Sequence, residues 1–166
     1  MPTSTSSHAK GVSMSVSLHP DPIDPCQQLE QWQAQLQAGG AEVPAATSLF
    51  IGRVRSTTAT GAPLDALELE HYPGMTEGQL QRLTAACARR HPVAAVLVRH
   101  RTGLVLCGDA IVVVAVLADR RGPAQRCCQE LLEALKHDAP FWKREWSSGM
   151  GEWLLGNTPL VEAPTT

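Results

Sequence analysis

The sequence has no excess of charge of either sign: fourteen Lys and Arg stand against sixteen Asp and Glu, a formal net charge of −2. No whole-molecule field draws in nucleic acid or an anionic membrane, so neither is expected as a partner and any anion site must be local. Paired cysteine motifs are missing as well. Cys26, Cys87, Cys107, Cys127 and Cys128 are odd in number and show no CxxC spacing. Neither a disulfide framework nor a zinc ribbon is indicated, no metal is expected, and a reducing cytoplasm is the simplest compartment. Long apolar runs are also lacking. The longest, Ala110 to Ala118, is too short to span a bilayer, and the Ser- and Thr-rich N-terminus has no signal-peptide core. Internal repeats and a regular βαβ period are absent, which favours an α+β domain over a doubly wound sheet.

What is present is enough for one core: 166 residues, 43% of them apolar. Residues 1–13 read as a flexible leader and 158–166 as a flexible tail, leaving a domain over 14–157. Within it, "MSVSLHP" alternates as a half-buried strand. Asp24 and Pro25 supply an N-cap and first-turn proline for a helix with Leu29, Trp32 and Leu36 on one stripe, stopped by Gly39 and Gly40. "SLFIGRVRS" reads as a strand, "TTATGAP" as a mobile loop and "LDALELEHY" as a strand. Thr76 with Gln79 has the capping-box pattern for a second helix with Leu80, Leu83, Ala86 and Cys87 on its buried stripe. "VAAVLVRH", "GLVL" and the fully apolar "AIVVVAVLA" read as consecutive strands, the last buried on both faces. Gly122 and Pro123 open a third helix with Ala124, Cys127, Leu131 and Leu135 facing the core and Lys136 on the border of that face.

Three separated segments place cations beside apolar residues. They are "FIGRVRS" with Phe50, Arg53 and Arg55, "LADRRG" with Arg120 and Arg121, and the C-terminal stretch with Lys136 and "APFWKRE". Taken singly, such cations are solvated strand and helix ends. Taken together, guanidinium forks suit a phosphate, and a lysine crowded by other cations loses its proton more easily than a free one. Pro140 cannot continue the third helix, so Lys143 lies on an extended segment and meets Lys136 only through tertiary folding. His100 and Arg101, before Gly103, read equally as ligand groups or as structural strand-end residues. Trp142, Trp146 and Trp153 are expected chiefly to pack the core.

These segments give the chain a family resemblance. From about Ser48 to Trp153 it resembles the large, catalytic subunit of molybdopterin synthase. The likeness is carried by "FIGRVRS", "LELEHYPGMTE", "HRTGLVLCGDAIVVVAV" and "LK" followed by "APFWKRE", in that family's order and spacing. The resemblance implies an α/β-hammerhead-type fold with an additional small antiparallel β-sheet subdomain. It also implies a homodimer at the centre of a heterotetramer, with a ubiquitin-like sulfur-carrier small subunit at each end.

The implied activity is a sulfurtransferase of molybdenum cofactor biosynthesis. The carrier's C-terminal thiocarboxylate gives two sulfurs to cyclic pyranopterin monophosphate, forming the molybdopterin dithiolene; the sulfur comes from the carrier and no cofactor is implied. Residue by residue, Lys136 matches the family's essential lysine and Lys143 the second active-site lysine. Arg53, Val54, Arg55 and Arg121 match substrate-binding positions, Arg144 and Glu145, next after Lys143, are expected to bind substrate with them, and Phe50 suits the pterin pocket. Arg120 stands where the family usually has histidine. A guanidinium binds anions but stays protonated near neutral pH. The alternative reading is therefore a non-catalytic, carrier-binding member impaired by Arg120.

Overall fold

The computed structural model describes residues 11–155, so most of the expected leader and the whole of the expected tail lie outside the described residues. The chain order is β1 Ser13–His19, α1 Pro25–Ala38, β2 Ala46–Arg53, β3 Ala66–Glu70, α2 Met75–Arg90, β4 Ala95–Arg101, β5 Gly103–Leu106, β6 Ala110–Ala118, α3 Arg121–Asp138, β7 Trp142–Ser147 and β8 Met150–Trp153. The strands form two four-stranded sheets, β1-β4-β6-β2 and β5-β3-β7-β8. In the first, β1 runs parallel to β4 and the other pairs are antiparallel; the second is antiparallel throughout. The fold is α+β with an additional small antiparallel sheet, as expected.

β6 explains the arrangement. Its residues 112–118 are all buried. Val112, Val114, Val116 and Ala118 pack under α2 and α3 with Leu80, Cys87, Cys127 and Leu131. Ala115 and Leu117 face α1, where they meet Trp32, Leu29 and Leu36. A strand covered on both faces has no reason to alternate, hence its uninterrupted apolar run. α1 begins as its sequence predicts, with the Asp24 carboxylate accepting from the Gln27 N–H at 3.1 Å. No helix among the described residues is long and apolar enough to cross a membrane.

One expectation needs correction. α2 begins at Met75, one residue before the expected Thr76 cap. Gly74, at φ 81°, is its N-cap, and Glu77 Oε2 accepts from the Gly74 N–H at 2.6 Å. Thr76 is fully buried in the first turn, because the core claims the position that a Thr cap would have kept in solvent. The loop after β2 is held to itself, by a bridge between Thr57 and Pro63 and a Thr58 N–H bond to the Ala62 carbonyl at 2.8 Å. β4 and β5 follow each other in sequence but lie in different sheets. The chain crosses between them at Thr102 and Gly103, where φ is +70°.

Candidate active site

α3 stops at Asp138; Ala139 is already extended (φ −73°, ψ 128°), and Pro140 has no N–H to continue the helix. The chain then enters β7, which pairs with β3 so that Leu69 faces Lys143 and Leu67 faces Glu145. Strand alternation sends Lys143 and Glu145 to one side and Arg144 and Trp146 to the other. On the first side a cleft of about 270 Å³ opens between the two sheets. Phe50, Val54, Leu67, Ile111 and Val112 give it apolar walls. Arg53, Arg55, Lys136, Lys143 and Glu145 supply its charges.

Four cations against one carboxylate make the cleft anion-selective. The carboxylate is already committed: Arg55 Nη2 donates to Glu145 Oε1 at 3.3 Å, and Glu145 is buried while Arg55 is half exposed. Glu145 thus orients a guanidinium whose remaining donors are open to a ligand. Lys143 has its pKa lowered from the ordinary lysine value, first by burial and then by the charge of Lys136. The sequence expected that effect of a cation-crowded lysine. Behind the lysine pair lies a smaller chamber of about 140 Å³, also lined by His100, Leu135 and Phe141.

Local backbone geometry aims these groups. The β2–β6 register shifts between Gly52 and Arg53, a bulge that redirects the segment carrying Arg53 and Arg55. Gly52 is required there: a Cβ would fall 2.8 Å from Val112 Cγ1 and 3.2 Å from Phe50 Cε1. Sequence reading singled out neither Gly52 nor the apolar walls Leu67, Ile111 and Val112. A glycine in a strand was the available signal; the walls carried none, since apolar strand residues look alike whichever cavity they line.

Three expected site residues lie elsewhere in the chain's own fold. Arg120 and Arg121 stand at the start of α3, whereas Lys136 is near its end. Fifteen residues of helix separate Arg121 from Lys136 by roughly 22 Å. Arg121 borders a shallow cleft with Ala46, Ser48 and Gln125 instead. Arg144 lies on the outer face of the second sheet, where Nη2 donates to Glu68 Oε2 at 2.7 Å. Its guanidinium sits 4.8 Å from the Trp146 ring and 4.6 Å from that of Trp153. The tryptophan cluster is therefore not core: Trp142 and Trp153 are exposed, and Trp146 donates Nε1–H to Glu68 at 2.8 Å. Among the described residues no group of three or more His, Cys, Asp or Glu could hold a metal ion.

Known proteins resemble the chain in sequence and in fold. The model of the MoaE protein family matches residues 19–138. A molybdopterin synthase catalytic subunit from Ralstonia nicotianae is 40% identical over 121 residues, covering 73% of this chain and 68% of that protein. Among solved structures, molybdopterin cofactor biosynthesis protein E from Burkholderia multivorans superposes with a TM-score of 0.70 at 35% identity, over 88% of this chain and 90% of that one. A complex of subunits 1 and 2 of molybdopterin-converting factor from Helicobacter pylori shares the fold, with a TM-score of 0.65 at 18% identity over 86% of this chain and 88% of that one.

Proposed function

The chain belongs to the MoaE protein family, and on that premise we propose that its two-lysine cleft transfers sulfur to cyclic pyranopterin monophosphate, as the catalytic subunit of a molybdopterin synthase. The observation that carries the reading is the convergence of Lys136, from α3, and Lys143, from β7, in one anion-selective cleft with Arg53 and Arg55. The arginines hold the substrate phosphate, and Phe50 and Val54 flank the flat pterin. The thiocarboxylate at the carrier's C-terminus is also an anion and enters the same field.

Each transfer forms a carbon–sulfur bond on the pterin side chain as a carbon–oxygen bond there breaks, its oxygen staying on the phosphate when the cyclic phosphate opens in one transfer and leaving as water in the other; water added to the carrier's acyl carbon then breaks the carrier's own carbon–sulfur bond. The carrier leaves as a carboxylate. Lys136 holds and returns the protons these steps move. Lys143, whose lowered pKa eases proton exchange, assists it. No metal or organic cofactor enters these steps. The carrier is a ubiquitin-like small subunit; the two-subunit complex among the structural neighbours is in keeping with such a partner.

Arg120 and Arg121 can serve this substrate only from a second copy of the chain, because their own helix holds them far from their own lysines. The active form is accordingly a homodimer, each site completed across its interface, with carriers bound at the outer ends. No observation favours the non-catalytic alternative: an Arg120 supplied by the second copy adds positive charge to a site built to bind anions. Incubating the purified protein with thiocarboxylated carrier and cyclic pyranopterin monophosphate tests the proposal. Dithiolene product with return of the carrier to its carboxylate form is expected; carrier binding without product would overturn the catalytic reading.

A further inference from the structure

His100, next to last in β4, lies beside the lysine pair, and the sulfur-transfer steps above do not use it. It is 8% exposed and lines the chamber behind Lys136 and Lys143. Its Nδ1 lies 2.8 Å from the Arg101 carbonyl oxygen; a carbonyl can only accept, so Nδ1 carries a hydrogen and Nε2 is left as the acceptor. The ring stacks on Phe141, with centroids 4.2 Å apart and planes at 15°. Phe141 is two residues before Lys143 on the segment that Pro140 turns out of α3. Burial keeps the imidazole neutral, with a pKa pushed down to about 4.

We propose that His100 is a positioning residue for Lys143: an uncharged imidazole that braces Phe141 and offers Nε2 as an acceptor to the lysine chamber. The proposal rests on the sulfur-transfer reading for its purpose, but its test does not. Burial and Lys136 both push Lys143 toward losing its proton. A neutral acceptor opposes that drift without adding a third positive charge, which a protonated histidine or an arginine would do. Lys143 then titrates below an ordinary lysine yet still has a proton to exchange. The charged and titratable groups around it are Lys136 from α3, Glu145 from β7, Arg53 and Arg55 from β2 and the loop after it, His100 itself from β4, and His71, whose ring lies 6.5 Å from Phe141.

Three variants separate the acceptor from the packing. His100→Gln keeps an acceptor near the Nε2 position. His100→Phe keeps an aromatic ring and loses the acceptor. His100→Asn keeps a donor toward Arg101 but is too short to place an acceptor at the Nε2 position, and supplies the same comparison if the phenylalanine variant does not fold. The readout is the pH dependence of acetic anhydride trace labelling at Lys143, followed by peptide mass spectrometry, which requires no turnover. The labelling midpoint is expected to fall by about half a pH unit or more in the Phe and Asn variants and to stay at the wild-type value in the Gln variant. In the synthase assay, turnover is expected to fall about tenfold in the Phe and Asn variants with KM changed less than about twofold. A midpoint unmoved in the acceptor-less variants, or moved equally in the Gln variant, would overturn the proposal. An inactive wild-type protein with the expected labelling pattern would instead count against the sulfur-transfer reading alone.

Discussion

Lys143 is held where burial and a neighbouring cation both disfavour its charge, so the site is maintained against stability. The buried charge destabilises the fold in full below the folded pKa of Lys143. That penalty is relieved as the pH rises from there toward the ordinary value of 10.5, because the unfolded chain then binds the proton that the folded chain has released. Lys143→Met should therefore raise the denaturation midpoint at neutral pH and lower turnover, with the stability gain shrinking toward pH 10.5. Urea titrations at two pH values check this. A Met variant less stable than wild type at neutral pH would show that the lysine is net stabilising.

His100 gives a complementary signature in acid. Its folded pKa of about 4 lies below the ordinary 6.5, so the unfolded chain gains a proton first as the pH falls. About 3 kcal/mol of stability is lost between those two values on this account. His100→Gln should flatten that part of the stability–pH curve, as measured by chemical denaturation. An unchanged slope would place the acid sensitivity elsewhere.

Among the elements, β2 and the turn into β7 do the aiming, each at one residue, Gly52 and Pro140. Gly52 permits the bulge that redirects Arg53 and Arg55, and an added Cβ meets the buried, β-branched Val112, which has little room to yield. Gly52→Ala is expected to cost about 1–3 kcal/mol and to raise KM for the phosphate-bearing substrate more than it lowers kcat. Thermal unfolding and steady-state kinetics measure both, and an unaffected KM would mean that the bulge does not set the arginines. Much at this level was legible in advance. Pro140 announced the break between the two lysines, and Asp24-Pro25 and Gly39-Gly40 bounded α1. The missed features have physical reasons. The α2 cap shifted because tertiary burial claimed Thr76, and although β4 and β5 were read as separate strands, the sheet change between them at Thr102-Gly103 leaves no mark on the local pattern. The tryptophans were read as core because large aromatics usually are; here Trp146 and Trp153 hold Arg144 on the outer face of the second sheet, and Trp142 packs edge-on against Tyr72.

In the proposed homodimer, the assembly reunites what one chain separates. Lys136 and Arg121 belong to one helix about 22 Å apart, so a site using both must draw them from different copies. Sequence adjacency could not reveal this, since the motif order carries no information about which copy supplies a side chain. Mixing Lys136→Ala with Arg121→Ala, each nearly inactive alone, should restore about a quarter of wild-type turnover after subunit exchange. Half of the dimers are then mixed, and each mixed dimer has one intact site of two. No recovery on mixing, with exchange verified by mass spectrometry, would place both residues' roles within one chain.

The claim beneath all of these is that Lys136 acts chemically in sulfur transfer. A single-turnover experiment tests it most directly: protein in excess over thiocarboxylated carrier and cyclic pyranopterin monophosphate, with loss of the thiocarboxylate followed by mass spectrometry. Lys136→Ala is predicted to bind carrier as wild type does and to slow that loss by about 100-fold or more. Transfer at the wild-type rate in a folded Lys136→Ala dimer would contradict the account.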